Sequence, residues 1–174
     1  LGGGAAGLRS PVKFALITLI GVVLGWFFFA KLGVASFHVP FVGEVNIGWL
    51  IVPLFAFAVV ATGNAVNISD GMDGLAGGLL GISFGAFGVI ALLQQHVILA
   101  GFCFTVVGVL LSYLWFNIYP ARFFMGDVGS FAYGACLGVV AMLTDSLLLL
   151  PVIGLLFVIE AGSSLTQIVS KKLF

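Results

Sequence analysis

Two polar stretches interrupt an otherwise apolar chain. In NAVNISDGMDGLAGG, two amides and two carboxylates recur at every third residue: Asn64, Asn67, Asp70 and Asp73. In FNIYPARFFMGDVGS, Asn117, Phe124 and Asp127 stand among glycines and aromatics. Carboxylates and amides without His or Cys select a hard cation. Mg²⁺ takes such oxygen ligands and usually keeps waters or substrate phosphates in its shell. It also stabilises the charge that moves in phosphoryl transfer. An aromatic ring beside a carboxylate suits a stacked base with a metal-bound phosphate nearby. The residue types therefore point to a phosphate ligand held with Mg²⁺.

The spacing restricts the backbone that can present these groups. On an α-helix, residues three apart are rotated by about 60°, so Asn64 and Asp73 would face opposite sides. A 3₁₀ stretch or a break removes that difficulty, and Gly63, Gly71 and Gly74 permit a break. The expectation is a helix end, a tight turn and a new helix. Asp73, just before GLAGGLL, also suits an N-cap region, but capping accounts for one or two of the four polar groups.

The elements that must position these loops are membrane spans. Of 174 residues, 62% are hydrophobic and only 7% charged, with a mean hydropathy of +1.32. Soluble domains carry about a quarter charged residues. A span needs about 20 mostly apolar residues, and six segments qualify: 14–30, 47–62, 75–93, 97–116, 128–144 and 147–169. The fold class is an all-α polytopic membrane protein, a single transmembrane domain over 1–174. Between the first two spans, SFHVPFVGEVNIGW alternates with period two around Val42-Gly43, which predicts a small β-hairpin at the outer membrane surface. The many glycines inside spans read as packing positions.

Six crossings put both termini on one side, with Arg9, Lys13, Arg122, Lys171 and Lys172; only Lys31 lies on the other. The positive-inside rule makes the first side cytoplasmic. Asp70, Asp73 and Asp127 then share a cytoplasmic face, whereas Glu44 and Asp145 lie outside. Glu160 falls within the last span, where an acid is functional by default; contact with a substrate headgroup and pairing within the bundle both remain open. His38 and His96 read as solvated or interfacial. Cys103 and Cys136 fit no metal spacing and read as small buried hydrophobes. Net charge is zero, so nothing argues for a nucleic-acid partner. No signal peptide is evident; LGGGAAGLRSPVK reads as a cut loop and SKKLF stops without a natural terminus, so the chain is expected to be an internal fragment of a larger protein.

The two stretches, in this order, resemble the signature loops of the phospho-N-acetylmuramoyl-pentapeptide transferases. These belong to the superfamily of polyprenyl-phosphate N-acetylhexosamine-1-phosphate transferases. The resemblance extends along essentially the whole chain. It implies a bacterial inner-membrane enzyme of about ten spans, with a cytoplasmic, Mg²⁺-dependent active site. Such an enzyme passes phospho-MurNAc-pentapeptide from UDP-MurNAc-pentapeptide to undecaprenyl phosphate, giving lipid I and UMP in peptidoglycan synthesis. By motif position, Asp127 is the implied Mg²⁺ ligand, with Asn67 and Asp70 beside it at the catalytic centre. Gly71, Met72 and Asp73 would line the uridine pocket, Phe124 would stack on uracil, and Asn117 would lie next to it. Asn64, from the spacing, and Glu160, from its place within a span, are the further substrate-binding candidates. A homodimer is also implied. The family's upstream Asp-Asp motif and downstream His-rich loop are not in these 174 residues, so the fragment alone is expected to be inactive. Ser69 stands where Thr is usual. Transfer of GlcNAc-1-phosphate to the same lipid is the neighbouring alternative. A cation-coupled transporter built on broken helices is the alternative of another class, although no internal repeat supports it.

Overall fold

The computed structural model describes residues 10–40 and 42–173. Arg9, which entered the count of basic residues, and Phe41, part of the hairpin alternation, lie outside the described residues. The chain runs as α1 (Ser10–Leu32), β1 (Ser36–Val39), β2 (Gly43–Asn46), α2 (Ile51–Ser69), α3 (Leu75–Leu93), α4 (Val97–Asn117), α5 (Gly126–Leu143), α6 (Leu150–Ile153) and α7 (Leu155–Leu173). Short 3₁₀ turns at Gly48–Leu50 and Leu147–Leu149 lead into α2 and α6.

Five helices are long and apolar enough to cross a membrane, and large apolar side chains cover their outer faces, Ile98 on α4 being 92% exposed. The chain is a multi-pass membrane protein. The hairpin is antiparallel, pairing Phe37 with Val45 and His38 with Glu44.

Two expected boundaries change. The second span continues past Thr62 to Ser69, because its polar side chains bond their own helix rather than end it. Asn64 Nδ2 donates to the Val60 carbonyl at 2.7 Å, and Ser69 Oγ donates to the Ala65 carbonyl at 3.1 Å. Such back-bonding supplies a polar side chain with a partner inside a helix. The expected sixth span, 147–169, is not one straight helix: Leu147–Ile153 and Leu155–Ser164 meet at 72°. The break falls at Gly154, the C-cap of α6, whereas Pro151 stands in the first turn of α6, where no helical N–H is needed. Beyond the bend, Glu160, Ser163, Ser164, Thr166 and Gln167 dilute the apolar character of α7. Of the cysteines, Cys103 is buried but Cys136 is exposed; on a lipid-facing helix surface a thiol is tolerated as a small apolar group.

The core lies between helices rather than at a centre. α2 packs between α1 and α5, and α3 packs on α4. Phe55 and Val59 of α2, Phe84 of α3, Leu110 of α4 and Leu137 of α5 are fully buried. The α2–α5 contact is unusually close. A methyl group on Gly134 would stand 2.6 Å from Gly63 Cα and 2.6 Å from the Thr62 carbonyl oxygen. Such backbone contact is what small residues allow between membrane helices. It also places the next turns of the two helices, which carry Asn67 and Ser130, within side-chain reach.

Candidate functional site

Both polar loops lie at the same end of the bundle. α2 ends with Asp70 as its C-cap, and α3 restarts after Gly74, so the helix–turn–helix expected from the spacing is present. Gly74 adopts a left-handed φ of 74°, which only Gly takes without strain. Gly74, not Asp73, occupies the N-cap position. Asp73 Oδ2 instead accepts the Ala121 N–H at 3.0 Å, tying the first loop to the second. The N-cap reading of Asp73 is therefore replaced by a contact between loops.

Asp127 is the hub. It stands in the first turn of α5, where the helix dipole favours an anion. Its Oδ1 accepts from Asn67 Nδ2 at 3.0 Å, and its Oδ2 accepts from Lys13 Nζ of α1 in the one ion pair among the described residues. Asn67 Nδ2 also donates to Ser130 Oγ at 2.9 Å. Asp70 reaches the same helix start, its Oδ2 accepting the Gly126 N–H at 2.9 Å, with Gly126 at φ 65°. Burial pushes the Asp70 carboxyl above its ordinary range; the N–H groups of Gly126 and Met125 pull it back, and the charge of Asp127 adds to the rise. Three helices thus converge on two carboxylates, although Lys13 and Asp127 are 114 residues apart in sequence.

Asn117 takes a different place from the one expected. It is 1% exposed. Its Oδ1 accepts the Gly74 N–H at 3.0 Å, and its Nδ2 donates to the Phe123 carbonyl at 2.8 Å. The side chain clamps one loop to the other rather than offering itself to a ligand. Phe123 is held as well, stacked on Phe116 with centroids 6.1 Å apart and edge-on to Tyr113 at 5.5 Å. Phe124 stacks on no described ring and is 44% exposed. Met72 and Gly71 are exposed on the facing turn. Asn64 is engaged with Val60, one helical turn before Asn67, and makes no bond to the second loop. Glu160, half-buried on α7, forms no ion pair among the described residues.

Lys13 and Ser130 join the site without having been picked out by residue type. Lys13 served in the sequence only as a topological charge. Its position in the first turn of a span, at the end that carries three acids, is the clue that a charge-pair argument would have used.

No group of three His, Cys, Asp or Glu side chains able to hold a metal occurs among the described residues. The available donors are the carboxylates of Asp127 and Asp70 and the Oδ1 of Asn67, whose two recorded bonds both use Nδ2. This hard oxygen set suits Mg²⁺, which is commonly held by one or two carboxylates with substrate phosphates rather than by an all-protein cage.

Residues 5–145 match the family model described as Glycosyl transferase family 4, and the chain belongs to that family. The relatives it resembles include proteins named phospho-N-acetylmuramoyl-pentapeptide-transferase. The protein so named from Chloroflexus aurantiacus is 53% identical over 132 residues, covering 75% of this chain and 36% of the relative. Those from Listeria monocytogenes and Listeria welshimeri are 40% and 42% identical, each over 93% of this chain and 50% of the relative. The chain thus spans half or less of the length of these relatives.

Proposed function

We propose that the full-length protein is a phosphoglycosyl transferase that passes phospho-MurNAc-pentapeptide from its UDP-linked form to undecaprenyl phosphate, releasing UMP. One observation carries the reading: Asp127 is joined to Asn67 and Lys13, and Asp70 to the same helix start, so the two loops form one acidic site at the end of a lipid-facing bundle. The printed name of the relatives supports the transferred group; the UDP-linked donor and the undecaprenyl phosphate acceptor are what the resemblance of the two loops implies. The distribution of basic residues supports a cytoplasmic location for this face, and relatives from bacteria support the plasma membrane.

In the proposed reaction a phosphate oxygen of the lipid attacks the β-phosphorus of the nucleotide-sugar. The bond from that phosphorus to the bridging oxygen breaks, and UMP leaves with the bonding pair. Mg²⁺ held by Asp127, with Asp70 and Asn67 beside it, would neutralise the pyrophosphate. The chain's own groups do the rest. Lys13 fixes the orientation of the Asp127 carboxylate from one side and Asn67 from the other. Asp73 bonds the Ala121 N–H through Oδ2, leaving Oδ1 for a base N–H. Phe124 offers an uncovered ring face for uracil, and Gly71 and Met72 are exposed on the turn that Asp73 ties to the second loop. The apolar helix surfaces accommodate the polyprenyl tail.

Asp127→Asn in the full-length protein tests this reading. The amide keeps an acceptor but loses the charge, so UMP release should fall by at least about 10²-fold, the scale of removing one electrostatic group from such a site. Near-normal release by a folded variant would sink the assignment.

A further inference from the structure

The end of α4 carries a surface that the proposed transfer does not use. Trp115 and Tyr119 are 82% and 83% exposed, and Ile118 is 62% exposed. Among the described residues α4 is also the span least covered, with 17% of its membrane-length window buried. Arg122 follows immediately, exposed but not loose. Its N–H donates to the Phe116 carbonyl at 2.9 Å, and its guanidinium lies 5.9 Å from the Phe116 ring centre. Phe116 is fixed in turn by stacking on Phe123. Arg122 forms no ion pair among the described residues, and Asp73, the acid that bonds this loop, uses Oδ2 on the Ala121 N–H.

Exposed Trp and Tyr at the end of a span belong at headgroup level, with the ring in the apolar layer and the polar atom in the wet one. A guanidinium at that level is a planar fork matched to phosphate oxygens. Here the fork is pre-oriented by a ring and uncompensated by any described acid, so it complements a negative charge from the membrane. We infer that Arg122, with Trp115 and Tyr119, forms a binding site for an anionic phospholipid. The guanidinium takes the lipid phosphate, and the two rings lie beside the upper acyl chains. The inference does not depend on the transfer reaction.

The test places a photoreactive side chain in the surface, Tyr119→p-benzoylphenylalanine, in the full-length protein. The protein is reconstituted in vesicles of equal phosphatidylglycerol and phosphatidylcholine, and cross-linked lipid is identified by mass. Phosphatidylglycerol should be captured about fivefold over phosphatidylcholine, the equivalent of roughly 1 kcal/mol for one basic residue at an anionic surface. Adding Arg122→Gln should bring the two yields level, Arg122→Lys should keep part of the preference, and Trp115→Ala should lower both yields without changing their ratio. Equal yields with Arg122 present would overturn the site, as would a preference that survives Arg122→Gln in a protein with normal thermal unfolding. Cross-linking to protein instead of lipid would also overturn it. So would loss of the phosphatidylglycerol adduct to trace polyprenyl phosphate, which would assign the surface to the lipid substrate.

Discussion

The two ends of the bundle use acids in opposite ways. At the hairpin end, Asp145 accepts the His38 N–H at 2.9 Å, Glu44 accepts the Ser36 hydroxyl at 3.2 Å, and Gln94 Nε2 donates to the Thr144 carbonyl at 2.7 Å. Apart from Ser36, the partners there are backbone groups, and the His38–Asp145 contact borders a cavity of about 40 Å³ lined also by Pro40 and Leu149, room for about a water molecule. At the other end, Asp70 and Asp73 also take backbone N–H groups, but Asp127 is held by side chains alone, and Asn67 and Asp73 keep oxygens unspent. The first pattern seals a corner. The second gathers Asp70, Asp127, Asn67 and Lys13 from three helices at one place, as a binding site requires. An acid's value to function is thus read from the other polar side chains that converge on it, since unspent oxygens are a property that Asp145 and Glu44 share with Asp73.

Three substitutions probe that contrast, beginning with the most damaging. Gly134→Leu should be the worst, because its side chain must displace backbone of α2 at Gly63. Overpacking costs about 1–3 kcal/mol or more, and the separated helices would pull Asn67 from Asp127. Loss of UMP release together with a lowered unfolding temperature is expected; normal values for both would show that the close approach is not what positions the site. Asn117→Leu comes next. It orphans the Gly74 N–H and the Phe123 carbonyl, each costing about 1–3 kcal/mol if left unpaired. Thermal unfolding in detergent should drop clearly while Phe124 remains intact, so activity should fall through misplaced loops. A variant with normal stability but weakened nucleotide binding would return Asn117 to the role of ligand contact. Asp145→Asn should do least. Its φ of 49° is one that Asn tolerates, and the amide oxygen can still accept from His38. A stability change within about 0.5 kcal/mol and unchanged UMP release are expected; a loss of activity comparable to that of Asp127→Asn would erase the distinction between the two ends.

Much of this architecture was legible in the sequence, for reasons that also define what was not. Hydropathy located the spans because lipid imposes length and composition over some twenty residues at once. Alternation around Val42 located the hairpin, and the three-residue spacing of Asn64 to Asp73 required the turn that follows Asp70. The role of an amide was less visible. Asn64, Asn67 and Asn117 look alike in sequence, yet one bonds its own helix, one reaches Asp127 and one clamps two loops. Their fates depend on the Gly63–Gly134 approach and on Gly74, which are tertiary facts. Lys13 was hidden for the same reason. The bend before α7 was signalled weakly by Pro151 and Gly154, but an apolar run on both sides of them reads as continuous.

The Lys13–Asp127 pair has a consequence for how the protein is made. Lys13 is synthesised 114 residues before its partner; at about 5–20 residues per second, roughly 6–23 seconds separate the two. Through that interval α1 must rest in or beside the bilayer with its ammonium uncompensated by Asp127, and Asn67 must wait likewise. The reaction centre cannot exist until α5 emerges and docks, so a ribosome stalled before Asp127 would leave inserted helices with no site between them.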